Sequence, residues 1–257
     1  MSLGFLRRGG RKPPALPDHL MLPLADRDVR VAVKASVRAV RFTLRLAAGP
    51  GDPTLTVPAT ARLGEAIAFL ERHRGWLAER LAKRPGTVAF TEGALVPLRG
   101  IEHRVVHRPG ARGTVWAEPA EDGAEAPRLV VAGAAEHMAR RLRDHLVKAA
   151  RADLAPAVAR HAARLGVTVE PKIRIKDTRS RWGSCTATGE LSFSWRVVMA
   201  PPHVLDYLAA HEVAHLREMN HSIRFWRLVR ETCPEMDAGR RWLKLHGARL
   251  HGYGTAP

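Results

Sequence analysis

An α+β fold is predicted, in which a β-rich N-terminal part gives way to a compact domain built around one helix packed on a small sheet. Three observations predict it. Apolar and polar residues alternate over residues 30–46 and in short runs between 94 and 131, the period of half-buried strands. A helical period takes over from about residue 134 to 165 and returns after Pro201-Pro202. Clusters of glycine and proline punctuate the change, as at Gly49-Pro50-Gly51-Asp52-Pro53 and Pro85-Gly86. The 257 residues, 46% of them hydrophobic, suit one large domain or two modest ones. The pattern divides them into a tail (1–25), a β-rich domain with one helix (26–133) and a second domain (134–257).

In order along the chain, residues 1–25 mix Gly, Pro and Arg without periodicity and read as a tail. Val31-Ala-Val-Lys34 and Val40-Arg-Phe-Thr-Leu-Arg-Leu46 form a two-strand pattern that suggests a hairpin, and Thr54-Leu-Thr-Val57 adds a strand. A helix over 63–83 places Ile67, Leu70, Trp76 and Leu77 on one face. Strands follow near 94–98, 102–107 and 113–117, then an acidic loop at 119–127 and a strand over 128–131. His103 and His107, four apart in a strand, stand about 13 Å from each other and read as surface or packing residues. The helix over 134–165 bends near Pro156 and stops at Gly166. Strand material at 167–175 and 190–198 flanks Asp177-Thr-Arg-Ser-Arg-Trp-Gly-Ser-Cys185, and two short helices close the chain.

The second domain contains His211-Glu212-Val213-Ala214-His215, with His221 six residues further on. Histidines four apart on a helix project at nearly the same angle, so both can bind one ion. Glu212 points about 100° further round and can reach a water on the open side. A catalytic zinc takes three protein ligands and keeps one position for water. His221 supplies the third by its spacing, which is that of the extended motif H-E-x-x-H-x-x-G-x-x-H. Here Glu218 replaces the motif's glycine. The break is therefore expected at Asn220, which tolerates left-handed dihedrals, with Ser222 capping the next helix. Val204, Leu205, Leu208, Glu212, Leu216 and Met219 share a buried stripe of about 140° with the histidines, and Asp206 and Arg217 face away. Should His221 fail as a ligand, Glu231 and Glu235 are next in line.

No apolar h-region follows the N-terminal basic residues, and no run approaches the length of a membrane span. Cys185 and Cys233 make neither a metal pair nor a disulfide framework. A cytoplasmic protein without membrane contact is expected. The formal charge of +17 includes only seven lysines among 42 basic residues, and arginines occur in every segment. That spread predicts at most weak, sequence-independent attraction to nucleic acid.

Ser180-Arg-Trp-Gly-Ser-Cys185, Phe193-Ser-Trp195, Ala200-Pro201, Asp206-Tyr207, the histidine motif, Asn220-His-Ser222 and Phe225-Trp226 together resemble the YgjP-like metallopeptidase family, related in motif to the SprT-like proteins. The likeness covers about residues 28–252, by weak pattern in the N-terminal part. It implies a compact zincin-like second domain, with His211, His215 and His221 as ligands and Glu212 as general base.

Metal-assisted peptide hydrolysis is the expected chemistry, with Zn2+ as cofactor and a peptide or protein as substrate. The segment 191–198 is the candidate edge strand for aligning an extended substrate. Phe225 and Trp226 are expected to pack under the histidine helix. Arg181 either stabilises an oxyanion or acidic substrate group, or pairs with Asp177 and fixes the turn. Cys185 lacks the orienting partner that a nucleophilic thiol needs. Two rival functions remain. One is a metal-dependent nucleotide pyrophosphohydrolase, for which P-loop and carboxylate cluster are lacking. The other is a basic nucleic-acid-binding protein with a structural metal, against which the intact Glu212 speaks. Oligomeric state is not legible.

Overall fold

The computed structural model describes residues 16–47, 51–120, 126–168, 170–178 and 181–254. Two compact units meet in the sequence between Lys83 and Arg84.

In the first unit, β1 (His19–Pro23) and β2 (Asp28–Ser36) form an antiparallel hairpin. β3 (Thr43–Arg45) and β4 (Thr54–Pro58) complete a sheet of order β1-β2-β4-β3, with β2 and β4 parallel. The expected hairpin between β2 and β3 does not form, because β4 lies between them. Its Leu55 and Val57 are wholly buried and take the centre, whereas the three residues of β3 are at most half-buried and form an edge. β1 falls inside the predicted tail, whose residues 1–15 lie outside those described. The single helix expected over 63–83 is two, α1 (Leu63–Arg72) and α2 (Arg74–Ala82), separated at His73, where φ is −102° and ψ 8°. Ala66, Leu70 and Leu77 bury against the sheet. Ile67 and Trp76, each one residue out of phase with that stripe, stay 45% and 39% exposed.

The second unit starts with β5 (Leu95–Leu98), β6 (Ile101–Arg108), β7 (Val115–Glu118) and β8 (Arg128–Ala132), in the order β5-β6-β8-β7. Arg99 and Gly100 join β5 to β6 with φ of 53° and 82°, the pair of left-handed residues a type I′ turn demands. The guanidinium of Arg99 donates to both oxygens of Asp153 at 2.8 and 2.9 Å, which offsets the strain of its backbone. His103 and His107 bond the carbonyls of Ile101 and Gly133 and take no part in a metal cluster. The predicted acidic loop falls largely on residues 121–125, outside those described.

α3 (Met138–Arg164) continues through Pro156. Its buried residues Met138, Leu142, Leu146, Ala150 and Leu154 recur every four positions, a single stripe. The first of these share one core with Val96, Val105 and Leu129 of the sheet and with Trp195, Val204 and Leu250. That shared core explains why the unit begins near residue 84 and not at the expected 134. A boundary at 133/134 would uncover the buried faces of these strands, Val96, Val105, Leu129 and Val131 among them.

A second sheet, of order β10-β11-β9, follows from β9 (Ile173–Lys176), β10 (Gly183–Cys185) and β11 (Leu191–Ser194). A 3₁₀ turn over Trp195–Met199 leads to α4 (Pro202–Ala214), α5 (Ile223–Thr232) and α6 (Met236–Leu250). None of the described helices is long and apolar enough to cross a membrane.

Candidate metal centre

α4 begins with proline at N1, where the missing N–H costs nothing. It buries most of its circumference, including Tyr207, Ala209 and Val213 beside the expected stripe, so α4 is a core helix and not an amphipathic one. Its end differs from expectation. His215 is the C-cap, and 3₁₀-type bonds from the N–H groups of Leu216 and Arg217 to Val213 and Ala214 (both 3.0 Å) tighten the chain at once. The break therefore comes before Asn220, and Met219, expected in the buried stripe, is 51% exposed. Neither Glu218 nor Asn220 has positive φ; among the described residues Arg99 is the non-glycine that does. Ser222 caps α5 as expected, its hydroxyl accepting from the Phe225 N–H.

This turn brings His221 back over α4. Ligand-capable atoms of His211, His215 and His221 all lie within 4.8 Å of one another. Nε2 of His211 and Nε2 of His221 are 3.1 Å apart. Two nitrogens on a tetrahedral zinc are separated by about 3.3 Å, so this spacing fits shared ligation. His215 donates from Nδ1 to the Glu218 carbonyl at 3.1 Å, which leaves its Nε2 lone pair for an ion, the usual outer-shell device. Burial, with the two neighbouring imidazoles, pushes His211 down to about 3. A neutral imidazole is the ligand form. The aromatic wall is Phe225, wholly buried and 4.9, 4.5 and 4.7 Å (ring centroids) from His211, His215 and His221, with Trp226 5.7 Å from His211 and His221. Glu231 and Glu235 do not belong to the cluster.

Glu212 is buried, and its Oε2 has no hydrogen-bond partner among the described residues. Burial pushes its carboxyl up to about 8, and the charge of Arg181 acts in the opposite direction. The backbone of β10 closes on it: a Cβ at Gly183 would come within 2.6 Å of its Cδ and 2.7 Å of its Cγ. Gly183 is thus a site residue that sequence reasoning named only as part of a motif. The available signal was a glycine inside a strand, a mark of close approach.

Two expectations about the surroundings, the edge strand and an Asp177–Arg181 pair, are overturned. The 191–198 segment is not an edge strand: β11 is the wholly buried centre of its sheet and the chain turns 3₁₀ after Ser194, so β10 is the edge next to Glu212. Asp177 pairs with the buried Arg196 and not with Arg181, which is exposed and acts on Glu212 through its charge. Cys185 is half-buried, and burial together with the Glu212 charge pushes its thiol up to about 11, so it is a poor nucleophile.

Behind α4 lies a second polar group. His161, 1% exposed, donates from Nε2 to Asp206 at 3.0 Å and accepts at Nδ1 from the Thr232 hydroxyl at 2.7 Å. Arg160 also donates to Asp206. The cluster ties α3, α4 and α5 together. The bond from His161, against the opposing effect of burial, and then Arg160 hold the Asp206 carboxyl below its ordinary range. A carboxyl with a depressed folded pKa contributes stability above its unfolded value of about 4 and loses it as pH falls through the folded one. Asp206→Ala, which strands a buried His161 donor, is expected to cost about 1–3 kcal/mol at neutral pH. The difference in melting temperature between the two proteins should shrink in acid, and a difference that stays constant to low pH would remove Asp206 from the clamp.

Residues 42–246 match the family described as YgjP-like, metallopeptidase domain. Comparison with curated proteins returns no match. Two solved structures are similar in part, the metallopeptidase zymogens abylysin of Pyrococcus abyssi and jannalysin of Methanocaldococcus jannaschii. Each is 23% identical and covers 36% of this chain, with 95% and 96% of their own lengths aligned and TM-scores of 0.32 and 0.31.

Proposed function

Since the chain belongs to the YgjP-like metallopeptidase family, we propose that it is a zinc-dependent peptidase whose ligands are His211, His215 and His221 and whose general base is Glu212. The observation that carries this reading is the convergence of three imidazoles on one point beside a buried, unpartnered carboxylate oxygen. Nitrogen donors of this kind suit zinc, whereas magnesium prefers oxygen ligands, which weighs against a magnesium-dependent nucleotide pyrophosphohydrolase.

Zinc supplies, when bound, a Lewis acid that acidifies water and polarises a carbonyl. The chain's own residues do the rest. Glu212 accepts the proton of the attacking water and returns it to the leaving nitrogen. Phe225 and Trp226 hold the imidazole planes and exclude water from one side. β10 offers the free edge on which an extended substrate can pair, next to Glu212. Arg181, exposed and within Coulombic reach of Glu212, is placed to meet an oxyanion or an acidic substrate group. The free thiols of Cys185 and Cys233 favour a reducing compartment such as the cytoplasm.

Metal content and cleavage of unfolded casein test the reading together. One equivalent of zinc per chain is expected, with activity lost to a chelator and restored by zinc. His221→Ala should fall well below one equivalent. Metal content unchanged in that variant would place the third ligand elsewhere, and casein left intact by the zinc-loaded chain would sink the peptidase assignment.

A further inference from the structure

The first unit carries a surface that the histidine cluster does not use. Phe69, His73, Trp76 and Arg80 follow one another at intervals of four, three and four residues, a stripe along one side of α1 and α2. Phe42 stacks on Phe69 with centroids 5.3 Å apart, and Phe69 on His73 at 4.1 Å, both pairs inclined by 25°. With Trp76 they line a groove of about 360 Å³ closed by Arg41, Thr43 and Leu44. Trp76 shows more than a third of its surface to solvent, and the Arg80 guanidinium stands 5.9 Å from its ring centroid. Arg45, exposed at the end of β3, follows the lining residues Thr43 and Leu44 in sequence. Among the described residues no carboxylate lies within ion-pair distance of Arg41, Arg45 or Arg80; Glu71 pairs with Arg74 and Glu79 with Lys83, and Glu79 also feels the Arg80 charge.

We propose that this groove binds single-stranded nucleic acid, with bases stacked on Trp76 and the neighbouring ring ledge and phosphates held by Arg41, Arg45 and Arg80. An exposed indole face at Trp76, flanked by guanidinium groups that stand outside close ion pairs, is what an unpaired strand needs, since every base has a face to stack and every linkage a charge to neutralise. A duplex hides those faces. An acidic peptide fits less well. It would have to add to the free edge of β3, which is three residues long and carries a charge at Arg45, features that discourage strand addition. The proposal is independent of the peptidase reading, because none of its residues belongs to the histidine cluster.

Fluorescence anisotropy on the full chain, with labelled oligo(dT) and oligo(rU) of about fifteen nucleotides and a duplex of equal length at two salt concentrations, tests it. Both single strands should bind more tightly than the duplex. Trp76→Leu should weaken binding about 5- to 150-fold, and Arg41→Ser should reduce the salt slope by about one. Arg112→Ser, an exposed arginine of the second unit, should leave affinity within about twofold, since it is not among the groove's lining residues. Wild-type affinity in a folded Trp76→Leu, equal affinity for the duplex, or equal losses for Arg41→Ser and Arg112→Ser would each overturn the site. Displacement by oligo-glutamate but not by unlabelled oligo(dT) would turn it into a peptide site. Should Trp76→Leu lower the melting temperature, the Arg41 and Arg112 pair of exposed variants decides alone.

Discussion

Glu212→Gln is expected to keep metal and fold while hydrolysis slows by on the order of 10²–10⁴, the usual worth of general-base help. Glutamine is nearly isosteric, so it fills the same space against Gly183 and leaves His211 and His215 where α4 holds them. What it loses is the capacity to take a proton from water. Zinc content, melting temperature and casein cleavage in the two proteins check this. Full metal-dependent activity in the glutamine variant would remove Glu212 from the mechanism. Loss of metal or of the fold would make the residue structural, and the enzyme reading would lose its chief support.

Gly183→Ala is expected to damage the same step from the other side. Its Cβ would enter the volume of the Glu212 side chain, within 2.6 Å of Cδ. No relaxed packing allows that separation. Glu212 sits on a buried helix and β10 is paired to β11, so the carboxylate is the part that yields. A misplacement of about 1 Å in a reacting group costs about 10² in rate. The atoms nearest that Cβ all belong to Glu212 and none to a histidine, so zinc binding should survive. Activity within twofold of wild type, with metal retained, would show that Glu212 has slack that the packing does not reveal. A variant that loses metal as well would mean that β10 supports the histidines too.

The helical period around His211 and His215, the turn signals and the short alternating strands follow from neighbours in sequence. They were legible because local dihedral preference and burial of one face are local properties. His221 was legible only as a spacing. What carries it over α4 is the early 3₁₀ turn after His215 and the carbonyl of Glu218, neither of which any single residue type announces. Strand order belongs to the same class. Whether β4 or β3 takes the centre of the first sheet, and β11 or β10 the edge of the second, depends on which strand has more apolar surface to hide from water once all are assembled.

Partner choice was also beyond the sequence. The sequence sets Arg181 four residues after Asp177, but Asp177 takes Arg196, which burial has stripped of water. The extent of the second unit was decided likewise, by α3 covering a sheet some forty residues upstream in one core. Sequence alone singled out the side chains proposed here to bind a metal and act as base. Tertiary structure decided that His221 turns back over α4 and that β10 closes on Glu212, because burial and hydrogen bonding are settled between elements that the chain order keeps apart.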